Sequence, residues 1–233
     1  MTLFFLDIET IPTQNQAVID ELKFSITAPA NYTKPETIEK WFAENFDSEF
    51  DKIYRKTALD GLYGEIISIA WAFDDEEASV VFRDQDESEK ELLEAFFMWI
   101  NTRLNLQQGK PEVISKWIGH YITGFDLRFL WQRCVVNQVK PSVKIPYDSK
   151  PWSDNVFDTK IAWTGSSQYS GAGSLDKLCT AFGIGSKGEI NGANVYDYWL
   201  KKEFSKIADY NKEDVEMCRK LYKLMTFSRY VDG

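Results

Sequence analysis

One stretch near the N-terminus, Leu3-Phe4-Phe5-Leu6-Asp7-Ile8-Glu9-Thr10, constrains the fold more than any other. Its apolar, β-forming run is too continuous for a strand with one wet face and reads as a strand buried on both sides. Two carboxylates then enter at i and i+2. Side chains alternate along a strand, so Asp7 and Glu9 point the same way. Like charges side by side at the end of a buried strand repel unless a cation lies between them. Mg²⁺ or Mn²⁺, which prefer carboxylate oxygens, would meet that need. So would a solvated strand end meeting a turn at Ile11-Pro12-Thr13, and this stretch alone leaves both readings open.

The last helix, expected from about Ser205 to Met225, carries a second signal. Ile207, Tyr210, Asp214, Met217 and Leu221 follow one another at spacings of three and four, which puts them on one stripe. Asp214 therefore interrupts an apolar face. A carboxylate there is costly unless it is paired or binds a metal. Arg219 and Lys220 lie on other faces, so its partner must come from elsewhere in the fold or be an ion.

Between these ends the chain alternates strands and helices. Residues 14–35 read mostly as loop, and Pro35 opens a helix that Thr33 is placed to cap. Lys34, Lys40, Lys52, Arg55 and Lys56 make that helix basic, and a covering helix with a solvated face explains it as well as nucleic-acid contact does. Strands are expected at 65–73 and 78–83, joined by a turn at the acidic run 74–77. Ser88-x-x-Glu91 is a capping box opening the next helix, and Glu112 to Ile118 reads as a further strand. Asp126 then opens a helix after the loop Gly119-His120-Tyr121-Ile122-Thr123-Gly124-Phe125, a place where Asp also serves as an ordinary N-cap. Residues 143–146 read as a short strand, and Asp158 or Thr159 caps a helix after Val156-Phe157. A helix at 174–182, capped by Ser174, lies between two glycine-rich loops, 165–173 and 183–194. Neither loop has a phosphate-loop pattern. Lys177 and Lys187 are candidates to meet a phosphate, with a plain surface role equally open. The alternation predicts an α/β sheet.

Composition narrows the function classes. The net charge of −9 is the wrong sign for broad, sequence-independent nucleic-acid binding. An acidic pocket filled by metal, with a small basic rim, still accommodates a strand end. Three scattered cysteines without C-x-x-C spacing argue against a zinc site and suit reduced thiols. With no basic leader and no long apolar run, the expectation is a soluble cytoplasmic protein with no membrane partner.

Taken in order, these residues resemble a known set of motifs. Asp7-Ile8-Glu9-Thr10 resembles the first exonuclease motif of the DnaQ-like (DEDD) 3′–5′ exonucleases. Phe125-Asp126 resembles the second motif, and Tyr210-Asn211-Lys212-Glu213-Asp214 the third in its Y-x-x-x-D form, which marks the DEDDy branch. That branch includes the proofreading domains of family-B DNA polymerases. Ser174-Leu175-Asp176-Lys177-Leu178-Cys179 with Phe182-Gly183-Ile184 is similar to stand-alone relatives of those domains. The only histidine, His120, lies far from the last helix, so Tyr210 rather than a histidine holds the position one turn before Asp214.

The resemblance implies a ribonuclease-H-like fold: a five-stranded mixed sheet with helices on both faces, in a single domain over 1–233 with a helical insertion at about 30–60. It also implies two-metal phosphodiester hydrolysis with two Mg²⁺ or Mn²⁺ ions. Asp7, Glu9 and Asp214 would hold the ion that generates hydroxide, Asp7 would bridge to the second, and Asp126 would support that second ion through water. Tyr210 would orient the attacking water, since a phenol near its ordinary pKa is a poor base. The expected substrate is the 3′ end of single-stranded DNA, released as 5′-mononucleotides, with replication or recombination proteins as possible partners. Thr10, Tyr121, Phe125, Lys177 and Lys187 are the candidate substrate contacts, with Thr10 expected to donate a hydrogen bond near the terminal nucleotide. Tyr121 departs from the family-B pattern, which has Asn five residues before the second-motif Asp. An exoribonuclease, a non-catalytic module that binds strand ends and a purely structural scaffold are the competing readings.

Overall fold

The computed structural model describes residues 1–105, 113–165, 173–185 and 188–228. Five strands form one mixed sheet in the order β3-β2-β1-β4-β5. They are β1 (Thr2–Ile11), β2 (Glu65–Phe73), β3 (Ser79–Phe82), β4 (Ile114–Gly119) and β5 (Val156–Asp158). β1 runs antiparallel to β2 and parallel to β4, and β5 continues parallel beyond β4. The central position of β1 is why its first residues are apolar on both faces.

Alternation along β1 splits the core. Phe4, Leu6 and Ile8 pack with Ile69, Trp71 and Phe73 against helices α3 (Glu89–Asn105) and α4 (Asp126–Val136). Phe5 and Ile11 face the other side, toward α8 (Phe204–Met225) and the short α7 (Val195–Leu200). Asp7 and Glu9 fall in the same register as Phe5 and Ile11, so the strand delivers both carboxylates to the α8 face. The pairing with β2 shifts between Glu9 and Thr10, an irregularity of the kind that re-aims side chains at the end of a strand.

Two further helices, α1 (Gln16–Ser25) and α2 (Pro35–Lys56), lie between β1 and β2 and pack on each other. The sequence reading of 14–35 as mostly loop missed α1, whose apolar stripe is short, only Val18, Ile19 and Leu22, and is no more than half-buried. Asn15 does cap it, its side chain accepting from the Ala17 N–H. Lys34, not Thr33, is the residue before α2, and it makes no side-chain cap; Pro35 at the first position supplies the start. The Ser88/Glu91 capping box forms as expected. Residues 143–146 are not a strand: Val143 and Ile145 pack as loop side chains on the α3/α4 side of the core. Asp158 caps α5 (Thr159–Thr164) through the Lys160 and Ile161 N–H groups. Ser174 precedes α6 (Leu175–Phe182) without a side-chain cap bond. α6 packs on α8 through Leu175, Leu178, Cys179, Met217 and Leu221. Most of the 165–173 loop lies outside the described residues.

Candidate active site

The C-terminal half of β1 is the floor of the site. β4 pairs with β1 only as far as Phe5↔Ile118 and ends at Gly119. Beyond that point the β1 edge has no strand beside it, and the backbone N–H of Ile8 needs another acceptor. Asp126 provides it, its Oδ1 accepting from Ile8 N at 3.2 Å. Gly119 makes the approach possible: a Cβ there would lie 2.9 Å from the Leu6 carbonyl oxygen and 2.7 Å from Ile122.

On the α8 face, one carboxylate oxygen from each of Asp7, Glu9 and Asp214 lies within 4.8 Å of the others. Glu9 and Asp214 are buried and Asp7 is half-buried. Tyr210 is buried one turn before Asp214 and hydrogen-bonds it. Burial, and then the charges of Glu9, Asp214 and Asp7, push the Tyr210 phenol well above its ordinary range, so it is a neutral donor at any working pH. Asp126 stands beside this triad, not within it. Burial pushes its carboxyl up to about 7, against the lowering effect of its backbone hydrogen bonds and with the charges of Asp158 and Asp214 adding to the rise. Three carboxylates converging in a partly closed space form a donor set of hard oxygens, which fits a divalent cation of the Mg²⁺ or Mn²⁺ type.

Of the other predicted contacts, Tyr121 is exposed at the mouth of the β4–α4 loop, with a left-handed φ of 67°. Its N–H donates to Asp158, its ring lies across Gly124, and Lys160 Nζ is 3.8 Å from the ring centroid. Phe125 sits at the N-cap of α4 and packs on Phe129. Thr10 donates its hydroxyl to the Ala58 carbonyl at 2.8 Å. Lys177 is exposed on α6, whose buried contacts with α8 run through Met217 and Leu221. Lys187 lies outside the described residues.

Two residues that sequence reasoning passed over organise the site. Asp158, read only as a helix cap, also accepts from Tyr121 N, Thr123 N and Thr123 Oγ1, and so ties the β4–α4 loop to β5. Asn211 is fully buried between α8 and the sheet, with its Nδ2 2.6 Å from Asp7 Oδ2. The available signal for Asn211 was a second stripe, Ala208, Asn211, Val215 and Cys218, adjacent to the one carrying Asp214.

The sheet order, the helices on both faces and the carboxylates at one end of the central strand define an α/β protein of the ribonuclease-H-like class. Residues 59–229 match the family described as "Predicted 3'-5' exonuclease related to the exonuclease domain of PolB", and the chain belongs to that family. The matched span contains Asp126, Tyr210 and Asp214, while Asp7 and Glu9 precede it. Among solved structures, the chain is similar to the family B DNA polymerase from the hyperthermophilic archaeon Pyrobaculum calidifontis, at 17% identity and a TM-score of 0.57 over 97% of this chain. The chain spans about a quarter of the length of that polymerase, as the match covers 25% of it. No curated protein matches this sequence. No helix among the described residues is long and apolar enough to cross a membrane.

Proposed function

We propose that this chain removes nucleotides from the 3′ end of single-stranded DNA by metal-dependent hydrolysis, in the DEDDy manner. The observation that carries this reading is the convergence of Asp7, Glu9 and Asp214 from β1 and α8, with Tyr210 bonded to Asp214 beside them. Asp7, Glu9 and Asp214 would hold Mg²⁺ or Mn²⁺, with Asp126 close behind. When bound, a pair of such ions supplies charge neutralisation on the scissile phosphate and a nucleophile at neutral pH.

The chain's own groups do the rest. Tyr210 keeps its proton and donates a hydrogen bond to Asp214 in the metal-free site; with Asp214 engaged by an ion, that O–H would be released to orient a water. Glu9 and Asp214 are buried, so charge oriented there counts for more than it would in water. Asp126 keeps the β1 edge straight by binding Ile8 N–H. A cavity of about 440 Å³ beside Thr10 has apolar walls at Pro12, Ala58, Leu59 and Tyr196 and a basic residue at Lys56, beside Arg55, whose guanidinium is paired with Asp51 and Asp197. That combination suits a nucleoside with its phosphate and supports approach of the strand from this side.

The test is digestion of 5′-labelled single-stranded DNA beside an RNA of the same sequence, in Mg²⁺, Mn²⁺ and EDTA. A metal-dependent ladder that shortens from the 3′ end, faster on DNA, is the expected result. Faster trimming of the RNA would make the protein an exoribonuclease. Binding of strand ends without any cleavage would make it an end-binding module.

A further inference from the structure

We infer that Asn211 is a positioning residue that holds Asp7 for metal binding, and that Ser68 anchors its amide by satisfying the buried amide oxygen. This rests on the metal-dependent reading above and adds to it two residues that hold no metal themselves. The three side chains form a relay across the layer between sheet and helix. Ser68 Oγ, on β2, donates to Asn211 Oδ1 at 2.7 Å. Asn211 Nδ2, on α8, donates to Asp7 Oδ2, on β1, at 2.6 Å. Ser68 and Asn211 are both fully buried.

The chemistry of each link is specific. An amide can present either its oxygen or its nitrogen to a neighbour. The Asp7 carboxylate only accepts, so it selects the amide nitrogen, and the Ser68 hydroxyl then satisfies the amide oxygen that this orientation leaves buried. A carboxylate oxygen has two lone pairs. Asp7 Oδ2 therefore accepts from Asn211 through one lone pair and has a second to direct at a cation. Lys or Arg in this position would also fix Asp7 but would bring a competing positive charge. A neutral amide orients the ligand and leaves its charge in place for the ion. Hydrogen bonds of this kind behind a metal ligand are worth about 10- to 100-fold in metal affinity.

The experiment is titration of the full chain with Mn²⁺ alone, followed by electron paramagnetic resonance, for wild type, Ser68→Ala, Asn211→Leu and the double variant. Circular dichroism and the urea midpoint report folding in parallel. Asn211→Leu, close in shape, is expected to weaken Mn²⁺ binding about 10- to 100-fold. Ser68→Ala should weaken it less, by about threefold or more, because the buried amide oxygen then loses its partner and the amide its anchor. The double variant should match Asn211→Leu alone, since Ser68 acts through Asn211. Activity of Asn211→Leu should recover as Mg²⁺ is raised, which a simple loss of packing would not produce. Mn²⁺ affinity unchanged within about twofold in folded Asn211→Leu, or fully additive effects, would overturn the inference. If Asn211→Leu fails to fold, unchanged affinity in Ser68→Ala, which removes one oxygen, overturns it instead. If the wild type binds no Mn²⁺, the proposed function itself fails, and that outcome is distinct from equal binding by wild type and variants.

Discussion

Replacing Asp126 by Asn should stabilise the metal-free protein most at pH 8 and by only about 1 kcal/mol at pH 4.5. Asp126 is buried, and its carboxyl is raised from the ordinary 3.8 to about 7, chiefly by loss of solvation. The sign follows from proton counting. Between those two values the folded chain holds a proton on Asp126 that the unfolded chain has released, so wild-type stability falls as pH rises. A rise of about three pH units at about 1.4 kcal/mol each corresponds to at most about 4 kcal/mol above pH 7. Water entering an open cleft reduces that, and about 2 kcal/mol is a fair lower figure. Asn keeps an oxygen for the Ile8 N–H and never ionises, so the variant escapes the penalty. The other carboxylates are common to both proteins, so the difference between them isolates Asp126. Urea unfolding in EDTA from pH 4.5 to 8.5 measures it, and the pH 8 gap corresponds to a melting shift on the order of 10 °C. Saturating Mg²⁺ should close the gap by favouring the anionic wild type. A variant that is less stable at every pH, or a gap that does not widen with pH, would refute the reasoning.

Three other outcomes are expected. Asp158→Ala should cost about 2–4 kcal/mol in urea unfolding, because it frees the N–H groups of Tyr121 and Thr123 and uncaps α5; a loss under about 0.5 kcal/mol would mean the loop is held by other contacts. Tyr210→Phe should keep its fold, since its ring packs with Ile207 and Trp199, and lose about 10- to 100-fold in kcat with little change in KM. The alkaline limb of its pH–rate profile should stay where it is, because burial and three carboxylates hold the wild-type phenol protonated throughout. Arg133→Met should cost about 3–5 kcal/mol, as it strands Glu89, buried and paired with Arg133 at 2.6 Å, in the α3/α4 interface. Equal urea midpoints for wild type and this variant would contradict that.

The parts of the fold visible in the sequence are those where burial imposes a period. β1 announced itself through an unbroken apolar run, and α8 through the stripe from Ile207 to Leu221. Those two elements, with the Asp that opens α4, hold all five motif residues. What the sequence hid has a common physical cause. α1 offers only a short, half-buried stripe of Val18, Ile19 and Leu22. The loop around Val143 and Ile145 is apolar because it packs on the core, and apolarity without ladder partners imitates a strand. Asp158 and Asn211 act through hydrogen bonds to partners 35 to 204 residues away, which no local spacing encodes. Thr10, a candidate substrate contact through the family motif, donates its hydroxyl to the Ala58 carbonyl 48 residues on, a tie that no local spacing encodes.

The most direct test of the central claim is a time course on a 5′-labelled single strand, with wild type, Asp7→Ala and Asp214→Ala, in Mg²⁺ and in EDTA. The account predicts products shortened one nucleotide at a time from the 3′ end, released as 5′-mononucleotides. It also predicts loss of at least about 10³-fold in rate for either variant and in EDTA, as expected when oriented charge in the site is removed. Cleavage at the wild-type rate by either variant, or a ladder indifferent to EDTA, would show that the triad is not where the chemistry happens.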